Sequence, residues 1–593
     1  MFLTRRNLSI LFFWLVLGLA LSLGACDSGD DDNDSGAPQN DDDQADDDAA
    51  DDDDAADDDA TPIEITWTDC PDYITDYLFE GQSAQCAHVP LPLNYDDPQS
   101  ETIPIFIFKV FYPDEQEKSG MLWLLEGGPG GPGEDFAPLM PWFSRDYPTF
   151  DIYSIDHRGV GNSSKLTCPT EDSWPFEFSE CAEDLQTTWG ADLMQFTSSN
   201  AARDLGTVIG ALQKDYPETF VYGVSYGTYW TIRYLQLFPT QPTGVILDSI
   251  CPSGECKLDA YDKHFNNNGR AIMDLCATDS TCATKMGTIA ATPWNAMGEL
   301  YRKMNEGELC AELTAYGFDS PLMRNIFGVL EMDPLSRNMI PPLIYRMNRC
   351  TADDVVAVIN MMAAYGWLAK GIDTGDYLEE FSDLDASNTL GVLVLLSELW
   401  NGTPYEDIAA GVDEAYFSID VSLRMAEIFD SGAWPLYGGD AYMNQWPATT
   451  VPILMMNGTL DPQTTLEMAL PAGEHLNQEH QTFVTVPQSP HGVIFASYTN
   501  DSVDTLVANE DGYVMQTCGM RMMYQFLDDP TAAIDTGCLS DLYAVEFSST
   551  SALNQWFSAL VFGTDDMWEG VPAKARGAQP ARLPLWPRRT LPL

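Results

Sequence analysis

A serine stands between two glycines in Gly223-Val224-Ser225-Tyr226-Gly227, with the β-forming run Phe220-Val221-Tyr222 before it and a helix-like segment after it. The spacing GxSxG alone is common, and its bland reading is a tight turn. At the seam of a strand and a helix it is the pattern of a nucleophile elbow. There the turn strains the serine, the glycines admit close backbone approach, and the hydroxyl projects at the carboxyl edge of a sheet over a helix N-terminus. Such a hydroxyl needs a base, and the base needs an orienting acid. On this type of strand–turn–helix scaffold the chain order is Ser, acid, His. Asp461, in Thr459-Leu460-Asp461-Pro462-Gln463, follows an apolar run that ends at Gly458. His491, in Ser489-Pro490-His491-Gly492-Val493, follows the run Gln481 to Val486. Of the six histidines, His88 and His157 precede the serine, His264 lies in a long inserted region, and His475 and His480 flank a helix end. That leaves His491 as the base and Asp461 as the acid, with Asp248, at the end of Gly244 to Asp248, as the rival acid.

The tetrahedral intermediate of such an attack carries an oxyanion that needs backbone N–H donors. One is expected from Tyr226, the residue after the nucleophile. The other is expected from the glycine-rich stretch Glu126 to Gly131 that follows Met121 to Leu125, at Gly128. The phosphate-loop pattern GxxxxGK[ST] is absent, and no CxxC pair or close histidine group reads as a metal site, so no cofactor and no metal are expected.

The elements that must hold these residues alternate. Strand-like runs at about 103–111, 121–125, 150–156, 220–224, 243–250, 451–458 and 481–486 are interleaved with helical spacing, most clearly at 198–214. Apolar strands alternating with helices predict an α/β fold with a mostly parallel sheet flanked by helices. The rhythm stops at Cys251 and resumes near 446, an interruption of roughly 195 residues, too long for a loop and rich in helical, Met-containing sequence. This reads as a mainly helical cap inserted after the sixth core strand. The chain therefore divides into a leader (1–25), an Asp-rich tether (26–61), a first core segment (62–250), a cap (251–445), a second core segment (446–545) and a C-terminal extension with a loose basic, Pro-rich tail (546–593).

The net charge of the 593 residues is -63. The tract Asp27 to Ala60 holds 18 Asp and no Lys or Arg; outside it and the leader's Arg5 and Arg6 there remain 73 acids and 26 bases, a net of -47. Such a surface repels phosphate backbones, which argues against nucleic acid as a partner. The tract cannot bury a core and reads as an extended spacer. Ahead of it, two arginines, an apolar stretch and small residues before a cysteine make an export signal. Leu23-Gly24-Ala25-Cys26 resembles a bacterial lipobox, which implies cleavage before Cys26, lipidation of Cys26, a membrane as partner and a place in the bacterial cell envelope. Without Cys26, 12 of the 13 cysteines remain, an even number, and an exported chain sits where disulfides persist. Neighbouring pairs are the expectation: Cys70–Cys86, Cys168–Cys181, Cys251–Cys256, Cys276–Cys282, Cys310–Cys350 and Cys518–Cys538. The sequence carries no signal of oligomeric state.

Gly127-Gly128-Pro129-Gly130-Gly131, Asp156-His157-Arg158-Gly159-Val160-Gly161-Asn162-Ser163, Gly223 to Trp230, Gly458 to Thr464 and Ser489 to Gly492, in that order, resemble the α/β-hydrolase serine peptidases of the proline iminopeptidase and tripeptidyl aminopeptidase family. Cys518 to Cys538 resembles the C-terminal region of the tripeptidyl aminopeptidase branch. The resemblance covers about 69–538. It implies a peptidase acting on free amino termini, a helical cap, and a triad of Ser225, Asp461 and His491. Members hold the substrate's ammonium group with acidic cap residues, and Glu398, in Leu395-Leu396-Ser397-Glu398-Leu399-Trp400, resembles that motif. One departure is Glu126, where proline iminopeptidases carry His before the glycines. The same triad attacks carboxylic esters, so an esterase is the alternative, and a non-catalytic binding protein on this scaffold is a second.

Overall fold

The computed structural model describes residues 63–115, 117–169, 178–365, 386–508 and 516–571. The leader, Cys26, the Asp-rich tether and the last part of the tail lie outside the described residues. Nine strands form one sheet: β1 (Thr68–Asp69), β2 (Ser83–Pro92), β3 (Thr102–Phe111), β4 (Gly120–Leu125), β5 (Phe150–Ile155), β6 (Glu218–Val224), β7 (Gly244–Asp248), β8 (Ile453–Gly458) and β9 (Gln481–Val486), in the order β1-β2-β3-β5-β4-β6-β7-β8-β9. The first three pair antiparallel, β3 pairs antiparallel with β5, and the remaining pairs are parallel. Together with its flanking helices this is the α/β-hydrolase fold. The cap follows β7, which is the sixth strand when the two-residue edge strand β1 is set aside. β1 and β2 escaped the sequence reading, because Ser83 to Pro92 has a polar first half and ends in prolines.

The sheet is buried on both faces. Every residue of β4, β5, β7 and β8 is buried, as expected for strands covered by helices on either side. Alternate side chains feed two cores. Leu122, Leu124, Phe220, Tyr222, Ile246 and Met456 pack with the helix Cys518–Asp528 on one face. Met121, Trp123, Val221, Val245, Leu247 and Met455 face the other way, and that core runs on without a break into the cap.

Four helices matter for the site. α1 (Ser198–Leu212) is capped by the Thr197 hydroxyl, which accepts from Asn200 N–H. α2 (Tyr226–Leu237) starts directly after β6, α3 (Asn388–Glu398) belongs to the cap, and α4 (Val493–Ala496) is a single turn after β9. The parallel registers Val224↔Asp248, Asp248↔Met456 and Gly458↔Val486 align the carboxyl ends of β6, β7, β8 and β9 along one edge. Whatever follows those strands is gathered there.

All six expected disulfides are present, with Cα–Cα separations from 5.0 to 6.3 Å. They fit a compartment outside the reducing cytoplasm. Among the described residues no helix is long and apolar enough to cross a membrane. The C-terminal extension is not loose throughout: helix Ala552–Val561 packs on the cap helix Ala352–Ala364, and Arg346 donates to the carbonyls of Asp566 and Met567.

Candidate active site

Ser225 sits between β6 and α2 with φ 57° and ψ -127°, a conformation that costs an L-residue of order 1–3 kcal/mol. Packing enforces it. Ser225 N–H donates to the Asp248 carbonyl at 3.0 Å, and its own carbonyl accepts from Thr228 N–H at 2.9 Å. A Cβ on Gly227 would lie 2.3 Å from the Leu125 carbonyl oxygen, so only glycine lets α2 start this close to β4. Gly127 is a second such position: a Cβ there would lie 2.9 Å from Ser225 Cβ. The sequence points to its neighbour Gly128, and nothing in the glycine run marks Gly127 apart.

His491 and Asp461 meet. His491 Nδ1 lies 2.9 Å from Asp461 Oδ2 and 3.0 Å from Oδ1. A carboxylate in such a contact accepts, so Nδ1 carries the hydrogen and Nε2 is left as the basic nitrogen. Nε2 is buried and has no hydrogen-bond partner among the described residues. Asp461 is fixed in turn: Oδ1 accepts from Gln463 N–H (2.9 Å) and Thr464 N–H (3.0 Å), and Oδ2 from the Thr464 hydroxyl (2.9 Å). Ser225, Gln463 and Thr464 line one cavity, with Gly128, Tyr226, Leu258, Leu395, Leu399, Val421 and Met468. The Cys251–Cys256 bridge forms part of the same wall.

The rival acid Asp248 has a different position. Its carboxylate takes Val493 N–H (2.7 Å) and Ile494 N–H (2.9 Å) at the start of α4, and the Tyr222 hydroxyl (3.0 Å). The next residue, Ser249, accepts Gly492 N–H at 2.7 Å. Asp248 therefore holds the backbone on both sides of the site: Ser225 through its carbonyl and the segment after His491 through its carboxylate. Burial raises its pKa to about 6, against the opposing pull of those N–H groups.

The two expected oxyanion donors both border the Ser225 cavity. Tyr226 is the first residue of α2, whose N–H has no acceptor inside its own helix. Gly127 N–H is taken by the Glu126 carboxylate at 2.9 Å, which leaves Gly128 as the next donor along the chain. A histidine that the sequence did not assign supports Tyr226 from behind. His157 Nδ1 lies 2.7 Å from the Arg158 carbonyl, and its Nε2 lies 3.2 Å from the Tyr226 hydroxyl. Burial lowers the His157 pKa to about 4, so the ring is neutral near pH 7.

Glu398 ends α3 and is 2% exposed. Its Oε1 accepts from Ser198 N–H (3.1 Å) and the Tyr437 hydroxyl (2.7 Å), its Oε2 from the Tyr229 hydroxyl (2.8 Å) and Arg233 (3.2 Å). Four donors fill a carboxylate's acceptor sites, so Glu398 has none left over for an incoming ammonium group. It borders a second cavity, of about 210 Å³, shared with Asp440, Arg203 and Asp96. Asp440 is less enclosed, with 39% of its side chain exposed, and lies 3.6 Å from Arg233. Burial works against the Asp440 charge, but the Ser199 hydroxyl and Arg233 hold its pKa below the ordinary carboxylate value. Tyr226 lines the first cavity, and Tyr229 on the same helix donates to Glu398, which lines the second. Among the described residues no group of three or more His, Cys, Asp or Glu is placed to hold a metal ion.

Comparison with known proteins gives the same fold. Residues 121–284 match the family model of the alpha/beta hydrolase fold. The tripeptidyl aminopeptidase of Streptomyces lividans is 28% identical over 211 residues, 31% of this chain and 38% of that protein. That of Streptomyces coelicolor is 29% identical over 210 residues, with the same shares. Carboxylesterase B of Mycobacterium tuberculosis is 32% identical over 110 residues, 18% of this chain and 21% of that protein. The matched region thus spans well under half of each relative.

Proposed function

Starting from an α/β hydrolase similar to the tripeptidyl aminopeptidases, we propose that this chain is a serine hydrolase that releases residues or short peptides from free amino termini through an acyl-enzyme. The observation that carries the reading is the strained Ser225 elbow, which opens on a cavity shared with the two residues that clamp Asp461 onto His491. Ser225 Oγ gives its proton to His491 Nε2 and attacks the substrate carbonyl. The N–H groups of Tyr226 and Gly128 take the oxyanion, and His491 returns the proton to the leaving amine. Water then repeats the sequence on the acyl-enzyme, and Ser225 regains its proton. The Ser225 cavity is about 30 Å³, far less than a peptide needs, so the cap must yield for substrate to enter.

The charge that would attract an ammonium group lies in the second cavity. Glu398, Asp440 and Asp96 against Arg233 and Arg203 leave one negative charge in excess there, with Asp440 more accessible than Glu398. A substrate reacting at Ser225 and reaching past Tyr226 would bring its amino end to that charge. The esterase reading also has an observation in its favour: no carboxylate lines the Ser225 cavity, whose walls are largely apolar. Matched aminoacyl, tripeptidyl and acyl-ester chromogens decide between the two. Turnover of free-amine peptides, lost on acetylating the amine, is expected; turnover of esters alone would remove the peptidase.

Lipidation of Cys26 and tethering outside the membrane by the Asp-rich tract complete the proposal. Replacement of Cys26 by Ser is expected to shift the protein to the soluble fraction, and unchanged membrane association would refute the tether.

A further inference from the structure

The walls of the Ser225 cavity are largely apolar, and the lining residues with a nitrogen or oxygen in the side chain are Ser225, Tyr226, Tyr261, Gln463 and Thr464. All but one are accounted for. Ser225 is the nucleophile. The Tyr226 hydroxyl meets Ser198 Oγ at 2.7 Å and His157 Nε2 at 3.2 Å. The Thr464 hydroxyl donates to Asp461 at 2.9 Å, and the Tyr261 hydroxyl donates to Gln463 Oε1 at 3.0 Å. The side-chain nitrogen of Gln463 is the exception.

Gln463 follows the acid by two residues, and its backbone N–H is one of the pair that grips Asp461. The residue is 5% exposed. Burial, with the charges of Asp461 and Asp262 nearby, raises the Tyr261 pKa well above its ordinary value, so the phenol keeps its hydrogen. Among the described residues that hydroxyl has no other acceptor, and a buried phenol needs one. The amide oxygen of Gln463 therefore faces Tyr261, and Nε2, with two N–H groups, is turned away from it. Nε2 donates to no described residue, yet it is not one of the polar atoms sealed inside the protein, so it opens on the cavity that holds Ser225. An apolar group filling that cavity would strip water from these N–H groups and give nothing back, whereas a group with an acceptor would satisfy them. The acceptor must be neutral, because Asp461 is already charged two residues away. It must also be an acceptor and not a donor, because Oε1 is taken.

We propose that Gln463 is a specificity-determining residue, whose Nε2 donates to a peptide carbonyl of the substrate adjacent to the reacting one. Each residue of a peptide supplies such an oxygen, while a plain alkanoyl ester has none beyond the group under attack. Gln463 thereby favours peptidyl substrates over simple acyl chains. The chemistry is the same whether the carbonyl lies on the acyl side of the scissile bond or in the residue that leaves, and the test separates the two. The effect on turnover rests on the hydrolase reading above; the contact itself does not.

Two arms of matched substrates test it, each read as a ratio within one enzyme, so that differences in intrinsic reactivity cancel between wild type and variant. The acyl arm compares a dipeptidyl p-nitrophenyl ester with the isostere in which a trans alkene replaces its internal peptide bond. The leaving arm compares one aminoacyl group on glycinamide with the same group on ethylamine. In at least one arm the wild type is expected to favour the carbonyl by about 10-fold or more in kcat/KM, and Gln463→Met to lose that preference mainly through KM. Gln463→Glu keeps an acceptor for Tyr261 but brings no donor, and is expected to lose it as fully. The acid limb of the pH profile, set by His491 on Asp461, is expected to stay in place in Gln463→Met. No carbonyl preference in the wild type, or the same preference in Gln463→Met, would overturn the proposal. Equal losses on every substrate with a shifted acid limb would do so too, and would leave Gln463 as a clamp on Asp461 alone. Calorimetry on Ser225→Ala, with the two acyl-arm compounds as amides, reads the contact without turnover. A carbonyl-dependent affinity there that Gln463→Met removes, with no hydrolysis of any chromogen by the wild type, would uphold the contact and remove the hydrolase.

Discussion

The core edge and the cap hold their polar groups by different means. At the core edge, Ser225, Asp461 and His491 stand at strand exits and are fixed largely by backbone. Asp248 O holds Ser225 N–H, the Gln463 and Thr464 N–H groups hold Asp461, and glycines admit the contacts that side chains would block. In the cap, Glu398 is fixed mainly by side chains that arrive from elsewhere: Tyr229 from 169 residues away, Arg233 from 165 and Tyr437 from 39. The first arrangement belongs to the scaffold. The second depends on which side chains happen to meet.

The sharpest break in that comparison is Ser225→Ala. It is expected to lower turnover of peptides and esters alike by about 10⁴ or more while the fold survives, with His491→Ala costing a comparable amount because the two act as one unit. Circular dichroism and single-turnover kinetics check it. Retained turnover in Ser225→Ala would reduce the elbow to a turn.

The same contrast explains what could be read from the chain alone. Ser225, Asp461 and His491 each sit in a short contiguous motif next to an apolar strand, because backbone geometry is written in neighbouring residues. The partners of Glu398 are not neighbours, so its resemblance to an amine-binding residue gave no sign that Arg233 and two tyrosines already occupy it. Gly127 was hidden in a run of glycines whose members look alike until one of them is seen against Ser225. His157 stood in a legible motif, yet its contact with Tyr226 spans 69 residues. The docking of the C-terminal extension on the cap was equally hidden, since it depends on cap arginines meeting backbone carbonyls about 220 residues away.

A milder perturbation sharpens the cap side. Asp440→Asn is expected to raise KM for free-amine peptides by about 10–100-fold, the scale of one charge-assisted contact, and to leave small acyl esters nearly unchanged. Equal losses on both substrates would make Asp440 a structural support only.

The remaining expected effect lies at the core edge and is read in stability, not in turnover. Asp248 has a pKa raised by burial from 3.8 to about 6, so the folded chain holds its proton more tightly than the unfolded chain does. Stability from this group is therefore fully present below about pH 4 and is lost as pH rises through about 6. Urea midpoints at pH 4 and pH 7, compared between wild type and Asp248→Asn, should show the variant lacking that part of the slope. At 1.36 kcal/mol per pKa unit it is on the order of 3 kcal/mol. Identical slopes would place the titration elsewhere.

Each of the six bridges joins a cysteine to the next one along the chain, across separations of 5 to 40 residues, and none encloses another. Twelve thiols admit about 10⁴ pairings, and this is the one that needs no waiting. A chain emerging amino end first into an oxidising space can close every bridge as soon as its second cysteine appears, before any later thiol is there to compete. Biogenesis then calls for an oxidant but little reshuffling.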